Sequence, residues 1–367
     1  MMLNQKPIVT YAGDKALFSN IQPGLVTGLP TEAVEWKRSY GRASRQVYVE
    51  CEFQAWSQDL EKARGGAIQG QPVFHTYWTD VADIDIYRQN VKEDILNWLR
   101  KNGSSTDWMI VLVETPEGRK GNKFPLRTTV LDRLKQDVGG KTPERCVGLT
   151  DPSRTDSRAA ESMQSFLHKF RQLFLQSYNK VLNKFEENIR AQREKRNDMQ
   201  WNFCEYFLLQ EQLAFVYENL CLYDEALIQY DELDALFTQF ILNSSLGDSP
   251  DWLEKFNKDL SDWSPLSLDT ETNLKLRGKL EKNCPSLMDM RNYLFSRQCR
   301  QLMLSKKPAE VAARSVSFLH NTAQELEILE VTEIVEGSLD SWVLLACLEV
   351  VNTCDPRSSE DPGLTRH

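Results

Sequence analysis

Apolar residues fall into two different rhythms along the chain. Up to about residue 150, short β-branched and aromatic runs alternate with segments of helical period. KPIVTYA (6–12), VYVECEF (47–53) and VFHTYWT (73–79) read as strands. WMIVLVE (108–114) is a continuous apolar run, as a strand covered on both faces requires, and RCVGLTD (145–151) reads the same way. Between them Ile84, Tyr87, Val91, Ile95, Trp98 and Leu99 recur at steps of three or four, predicting a helix that stops at Asn102-Gly103. TTVLDRLKQDV (128–138) predicts a short helix closed by Gly139-Gly140. Strand and helix in alternation imply parallel pairing through right-handed crossovers. Residues 1–152 are therefore expected to form an α/β domain, a mostly parallel sheet with flanking helices.

After Asp151-Pro152 the rhythm is helical. Met163, Phe166, Phe170, Phe174, Tyr178, Leu182, Phe185 and Ile189 lie on one stripe. They predict a single helix of about 35–40 residues, roughly 55 Å long, within a connecting segment 153–199. Its basic end, RAQREKR (190–196), suits a helix C-terminus. Helical patterns over 201–219, 223–242, 287–305, 308–329 and 339–351 predict an all-α domain at 200–351. Leu213, Ala214, Tyr217, Ala226 and Tyr230 match positions of the tetratricopeptide pattern, small residues where two helices approach and aromatics in the groove. No second copy follows 34 residues on. Residues 294–326 form another hairpin pattern, with Pro308 at a helix start. The expectation is a TPR-like, irregular helical solenoid, whose last pair has no neighbour. The polar segment 352–367 is expected to be a disordered tail.

Charge separates the same two regions. Residues 1–200 carry 30 basic and 25 acidic side chains, and residues 201–367 carry 14 and 28, giving +5 and −14 and the total of −9. That balance argues against nucleic-acid binding by the second region. The stretch LAFVYENLCLYDEALIQYDELDALF (213–237) lies within fifty residues, Trp201 to Pro250, that hold nine acids and no base. Asp224, Glu225, Asp231, Glu232 and Asp234 are thus a candidate surface for a basic partner, the alternative being a solvated helix face. Arg119, Lys120 and Lys123 in one loop, and Arg193, Lys195 and Arg196 at the long helix's end, form two basic patches. Anionic lipid headgroups are their candidate target, against plain solvation. The eight cysteines are scattered with no C-x-x-C pair, which points to buried thiols in a reducing compartment. The N-terminus lacks the apolar core of a signal peptide, and the apolar run 342–348 is far short of a membrane span; a cytoplasmic protein is expected.

Catalytic chemistry finds little support. Gly140-Lys141-Thr142 resembles the end of a phosphate loop, but Lys135 stands where the first glycine belongs, and the segment follows a helix instead of preceding one. The acids of TDVADID (79–85) lack an EF-hand's spacing and sit in a helix's first turn, where they cap. His75, His168 and His320 have no partner the sequence can supply. No cofactor or metal is expected, and the alternative is an α/β domain that binds a nucleotide or small molecule through an unrecognised site.

EWKRSYGRASR (35–45), FPLRTTVLDRLKQDV (124–138), ERCVGLTDP (144–152), FCEYFLLQEQLAFVYE (203–218), YLFSRQC (293–299) and LDSWVLLACLEV (339–350) resemble, in order, the N-terminal region of the trafficking protein particle (TRAPP) complex subunit 10 family. The resemblance runs from about residue 5 to 351. It implies a cytoplasmic, non-enzymatic scaffold subunit of the TRAPP II assembly, peripherally associated with the Golgi. That assembly acts in nucleotide exchange on Rab-family GTPases and in vesicle tethering, with the exchange chemistry attributed to its small core subunits. The implied partners are other TRAPP subunits, indirectly a Rab GTPase, and peripherally the Golgi membrane. Family members run several times longer, and the tail at 352–367 departs from their pattern.

Overall fold

A computed structural model describes residues 6–355 apart from 39–42, 59–70, 103–106, 115–128, 155, 248, 258–262 and 332–335. The chain divides into two compact units, Gln5–Lys184 and Phe185–His367.

The first unit is an α/β fold. Its strands are β1 (Ile8–Gly13), β2 (Val34–Trp36), β3 (Arg45–Val47), β4 (Glu52–Ala55), β5 (Pro72–Thr79), β6 (Trp108–Glu114) and β7 (Cys146–Thr150). Five of them form a sheet in the order β4-β1-β5-β6-β7, every neighbouring pair parallel. The order reverses at β1, the mark of a doubly wound sheet with its crevice beside the β1 and β5 carboxyl ends. Helices cover both faces. On one, Phe18 of α1 (Lys15–Gly28) and Phe166 and Phe170 of α4 (Ser157–Glu194) meet Phe53, Phe74 and Trp78 of the sheet. On the other, Ile95 and Trp98 of α2 (Lys92–Asn102) and Val130 and Leu134 of α3 (Val130–Leu134) pack with Tyr77, Ile110 and Cys146. β6, buried from Met109 to Val113, is covered on both sides as its continuous apolar run predicts.

Particular residues fix these elements. Asp83 accepts from the Asp85 and Ile86 amides at 2.7 and 3.1 Å, so the acids of 79–85 serve a helix start, as expected. A π-turn at Tyr87–Val91 joins that start to α2, and a second at Lys135–Gly139 ends α3. Arg171 on α4 is buried and donates to the Leu29 and Gly28 carbonyls at 2.9 and 2.7 Å, placing a cation at the end of α1. Beside it a Cβ on Gly28 would lie 2.6 Å from Leu167, so α1 and α4 approach through a glycine.

Two features differ from the sequence expectation. Residues 47–53 are not one strand: Val47 of β3 pairs with Val34 of the antiparallel β2–β3 hairpin, whereas Glu52 of β4 pairs with Ile8. Propensity reports an extended backbone but not its partner. Residues 15–28 form a helix despite Pro23, because Asp14 caps the Leu17 amide and Phe18, Ile21 and Leu25 share its buried face.

The second unit is helical. It contains the last turns of α4, then α5 (Phe203–Asn219), α6 (Tyr223–Ser244), α7 (Thr270–Glu281), α8 (Leu287–Leu304), α9 (Pro308–Ile328) and α10 (Ser338–Cys354). The expected helices are present, and α7 is additional. Its polar sequence hides the period, yet Asp269 caps it and Leu276 and Leu280 are buried. α5 and α6 form the predicted hairpin: Leu213, Ala214, Tyr217, Ala226 and Tyr230 are all buried. α8 packs against α6, α7 and α9, and is buried almost all round. The result is an irregular, TPR-like solenoid. The cysteines depart from expectation, since Cys221, Cys284 and Cys347 are exposed and only Cys146, Cys204 and Cys299 are fully buried.

Candidate interaction surface of the helical unit

The acidic stretch finds bases within its own unit. Asp224, in the first turn of α6, accepts from Lys307 Nζ at 2.7 Å, and Asp231 accepts from Arg314 Nη1 at 2.8 Å. Arg314 lies on α9, and Lys307 stands at its N-cap position. Asp234 meets Arg291 of α8, and Gln298 Nε2 donates to Asp231 at 2.9 Å and to Asp234 at 3.3 Å. Glu232 lies 3.4 Å from Arg193 on the last turns of α4. Glu225 shares the first turn of α6, where the helix dipole favours a carboxylate. The structure thus joins Glu232 to Arg193, residues the sequence places in two separate patches.

Arg119, Lys120 and Lys123 are outside the described residues. Lys195 and Arg196 follow α4 on an exposed 3-10 turn, where Arg196 donates to the Arg193 carbonyl at 3.3 Å.

Sequence reasoning misses the charges beneath this surface. Glu218 on α5 is buried and accepts from Arg297 Nη2 at 2.8 Å, Arg300 Nε at 2.9 Å and Gln301 Nε2 at 2.7 Å, all on α8. Burial works to raise its carboxyl, but the two guanidiniums and the amide outweigh it and hold it below the ordinary value. One turn-pair earlier, Glu211 accepts from Arg277 of α7 at 2.8 Å and from the Tyr293 hydroxyl. Burial and that neighbouring carboxylate push Tyr293 well up. Arg291 bonds Glu325 of α9 as well as Asp234, and its guanidinium lies 4.9 Å above the Phe237 ring. Burial leaves Glu325 above the ordinary carboxylate value, only partly offset by Arg291. One signal was available: Glu211 and Glu218 stand seven apart on a helix whose one other charge is Glu205, with Ala214 between them.

At the β1 end of the crevice, described residues of the α/β unit meet one another. At the end of β1, Gly13 has φ +84°, and a Cβ there would lie 2.2 Å from the Trp78 carbonyl. The next amide, Asp14, donates to that carbonyl at 2.9 Å, and the Asp14 carboxylate occupies the N-terminus of α1. A bound phosphate would have to displace that carboxylate. The Gly139–Thr142 segment closes on itself, Thr142 donating to Gly139, between a helix and a strand. His75 is buried 2.7 Å from the Thr10 hydroxyl, His168 faces Gln172 and His320 is exposed. Among the described residues, no group of three or more His, Cys, Asp or Glu is placed to hold a metal ion. No helix among them is long and apolar enough to cross a membrane.

Comparison with known proteins identifies the lineage. The family model for "Trafficking protein particle complex subunit 10-like, N-terminal" matches residues 2–196. Trafficking protein particle complex subunit 10 of Homo sapiens is 42% identical over 370 residues, covering 99% of this chain. The chain belongs to the TRAPP subunit 10 family. The Drosophila melanogaster subunit 10 is 38% identical across 95% of the chain, and a "complex II-specific subunit 130 homolog" of Arabidopsis thaliana is 26% identical across 73%. The chain spans less than a third of the length of these relatives: 29%, 31% and 20%. No solved structure matches. The human and fly matches extend across the ion-paired helices as well as the sheet unit, so the TRAPP subunit 10 likeness includes the whole candidate surface.

Proposed function

We propose that this chain acts as a non-enzymatic scaffold within a TRAPP II type assembly, supporting nucleotide exchange on a Rab-family GTPase and vesicle tethering in ER-to-Golgi and intra-Golgi transport. It works in the cytoplasm, peripherally associated with the Golgi. The observation that carries this reading is the 42% identity to human subunit 10 across 99% of the chain, sheet and helices together. Physical support comes from the charged groups, which are spent on holding helices and capping them. On this reading the solvated edges of Asp224, Glu225, Asp231, Glu232 and Asp234 meet a basic neighbour, and the bases at 119, 120, 123, 193, 195 and 196 lie toward anionic membrane.

Affinity purification of the tagged chain, expressed at native level, tests the reading. Other TRAPP subunits are expected to co-purify in fixed proportion. Recovery of the chain alone, as a soluble monomer, would overturn it.

A further inference from the structure

The second unit contains a groove of about 740 Å³ with α8 as its floor and α6 and α9 as its walls. The walls run in the same direction: Asp224 pairs with Lys307, Asp231 with Arg314 and Thr238 with Glu325, partners advancing in step. On α6 the lining runs from Asp231 to Asn243, about 18 Å at 1.5 Å per residue. An extended peptide covers that length in about five residues. The volume also falls within the range of about 300–1,000 Å³ found for ligand sites.

Three observations define what fits. First, the rims carry Ala235 and Ala313, both exposed, so the opening is wide enough for a backbone. Second, the amide side chains of Gln239 and Asn321 line the groove without a hydrogen bond to any described residue. Each offers a donor and an acceptor, the pair an extended backbone presents. Third, the charge is unbalanced. Arg314 is shared between Asp231 and Glu310, and Arg291 between Asp234 and Glu325, four carboxylates against two guanidiniums. Of the four charged groups that line the groove, Asp231, Asp234 and Arg314 are 38%, 39% and 32% exposed, whereas Arg291 is 5% exposed. What a ligand meets is two part-exposed carboxylates against one part-exposed guanidinium, beside unused amides. Gln239 and Asn243 also border a second pocket of about 510 Å³ over Phe240 and Trp252, so a chain leaving the groove over α6 meets another concavity.

We propose that this groove binds a short extended peptide segment, about five residues long, that carries a lysine or arginine. The amides hold the backbone, and the part-exposed carboxylates of Asp231 and Asp234 hold the cation. The proposal rests on the helical unit's geometry alone and stands apart from membership of any assembly.

The test selects phage-displayed random heptapeptides on the full chain, then measures the enriched sequences as synthetic peptides by fluorescence anisotropy. Two variants accompany the wild type. Ala313→Trp fills the groove from an exposed position, and Gln239→Ala with Asn321→Ala removes the amides without adding bulk; circular dichroism confirms that both fold. Enriched peptides are expected to contain Lys or Arg and to bind Ala313→Trp at least tenfold more weakly. The double variant should bind at least threefold more weakly, and raising NaCl from about 50 to about 200 mM should weaken binding to the wild type. No enrichment over the bare support would overturn the proposal, as would enriched peptides that bind both variants like the wild type. A groove filled by a second copy of the chain would show as concentration-dependent dimerisation abolished by Ala313→Trp, and that too would overturn it.

Discussion

Glu218 is a single carboxylate holding two guanidiniums of α8, with almost no access to water. Replacing one partner of such a buried pair leaves the other charge uncompensated, at about 3–5 kcal/mol. Glu218→Gln is expected to lose that much in urea unfolding at neutral pH. The pH dependence follows from the lowered carboxyl. A carboxylate whose folded value is depressed contributes stability above its unfolded value, about 4.3. That contribution disappears as pH falls through the lower folded value. The gap between wild type and Glu218→Gln should therefore narrow below about pH 4, and a constant gap down to acid unfolding would contradict the assignment. At this scale the sequence is poorly legible. It shows an acidic stretch and invites a partner outside the chain, yet Asp231 pairs with a base 83 positions away and Glu218 with one 79 away. Nothing local marks those bases as the answer.

Among the elements, the α5–α6 hairpin was the most readable, because close helix approach demands small residues at fixed places. Ala226 is fully buried at that crossing. Ala226→Leu would insert three carbons into filled space, and a loss of about 1–3 kcal/mol is expected in chemical denaturation. A neutral result would mean that the hairpin is looser than described. Helices with a strong apolar stripe were equally legible, α4 above all. α1 and α7 were not, since Pro23 breaks the pattern of one and charged residues dilute the other. Each is held by an aspartate cap and a few buried residues against neighbours the sequence does not identify. The 47–53 run failed for a related reason: two different strands took hold of its two ends.

For the molecule as a whole, a doubly wound sheet usually offers an anion site at its order reversal. Here Asp14 occupies the helix terminus, and Gly13 brings the backbone against Trp78. Millimolar GTP, GDP or ATP should leave the melting temperature unchanged. Binding at a hundred times the dissociation constant would stabilise by about 2.7 kcal/mol, a shift of several degrees that would restore the nucleotide reading. The sequence by itself determined the kinds of element and their order, sheet unit before helices, because apolar period is a local property written into neighbouring residues. It also carried the family, since identity persists along both units. Only the tertiary structure decided which strands pair, which charges cancel and where a groove stays open. Those outcomes depend on residues brought together from far apart in the chain, and an ion pair's energy is set by its burial and distance, neither of which a one-dimensional pattern contains.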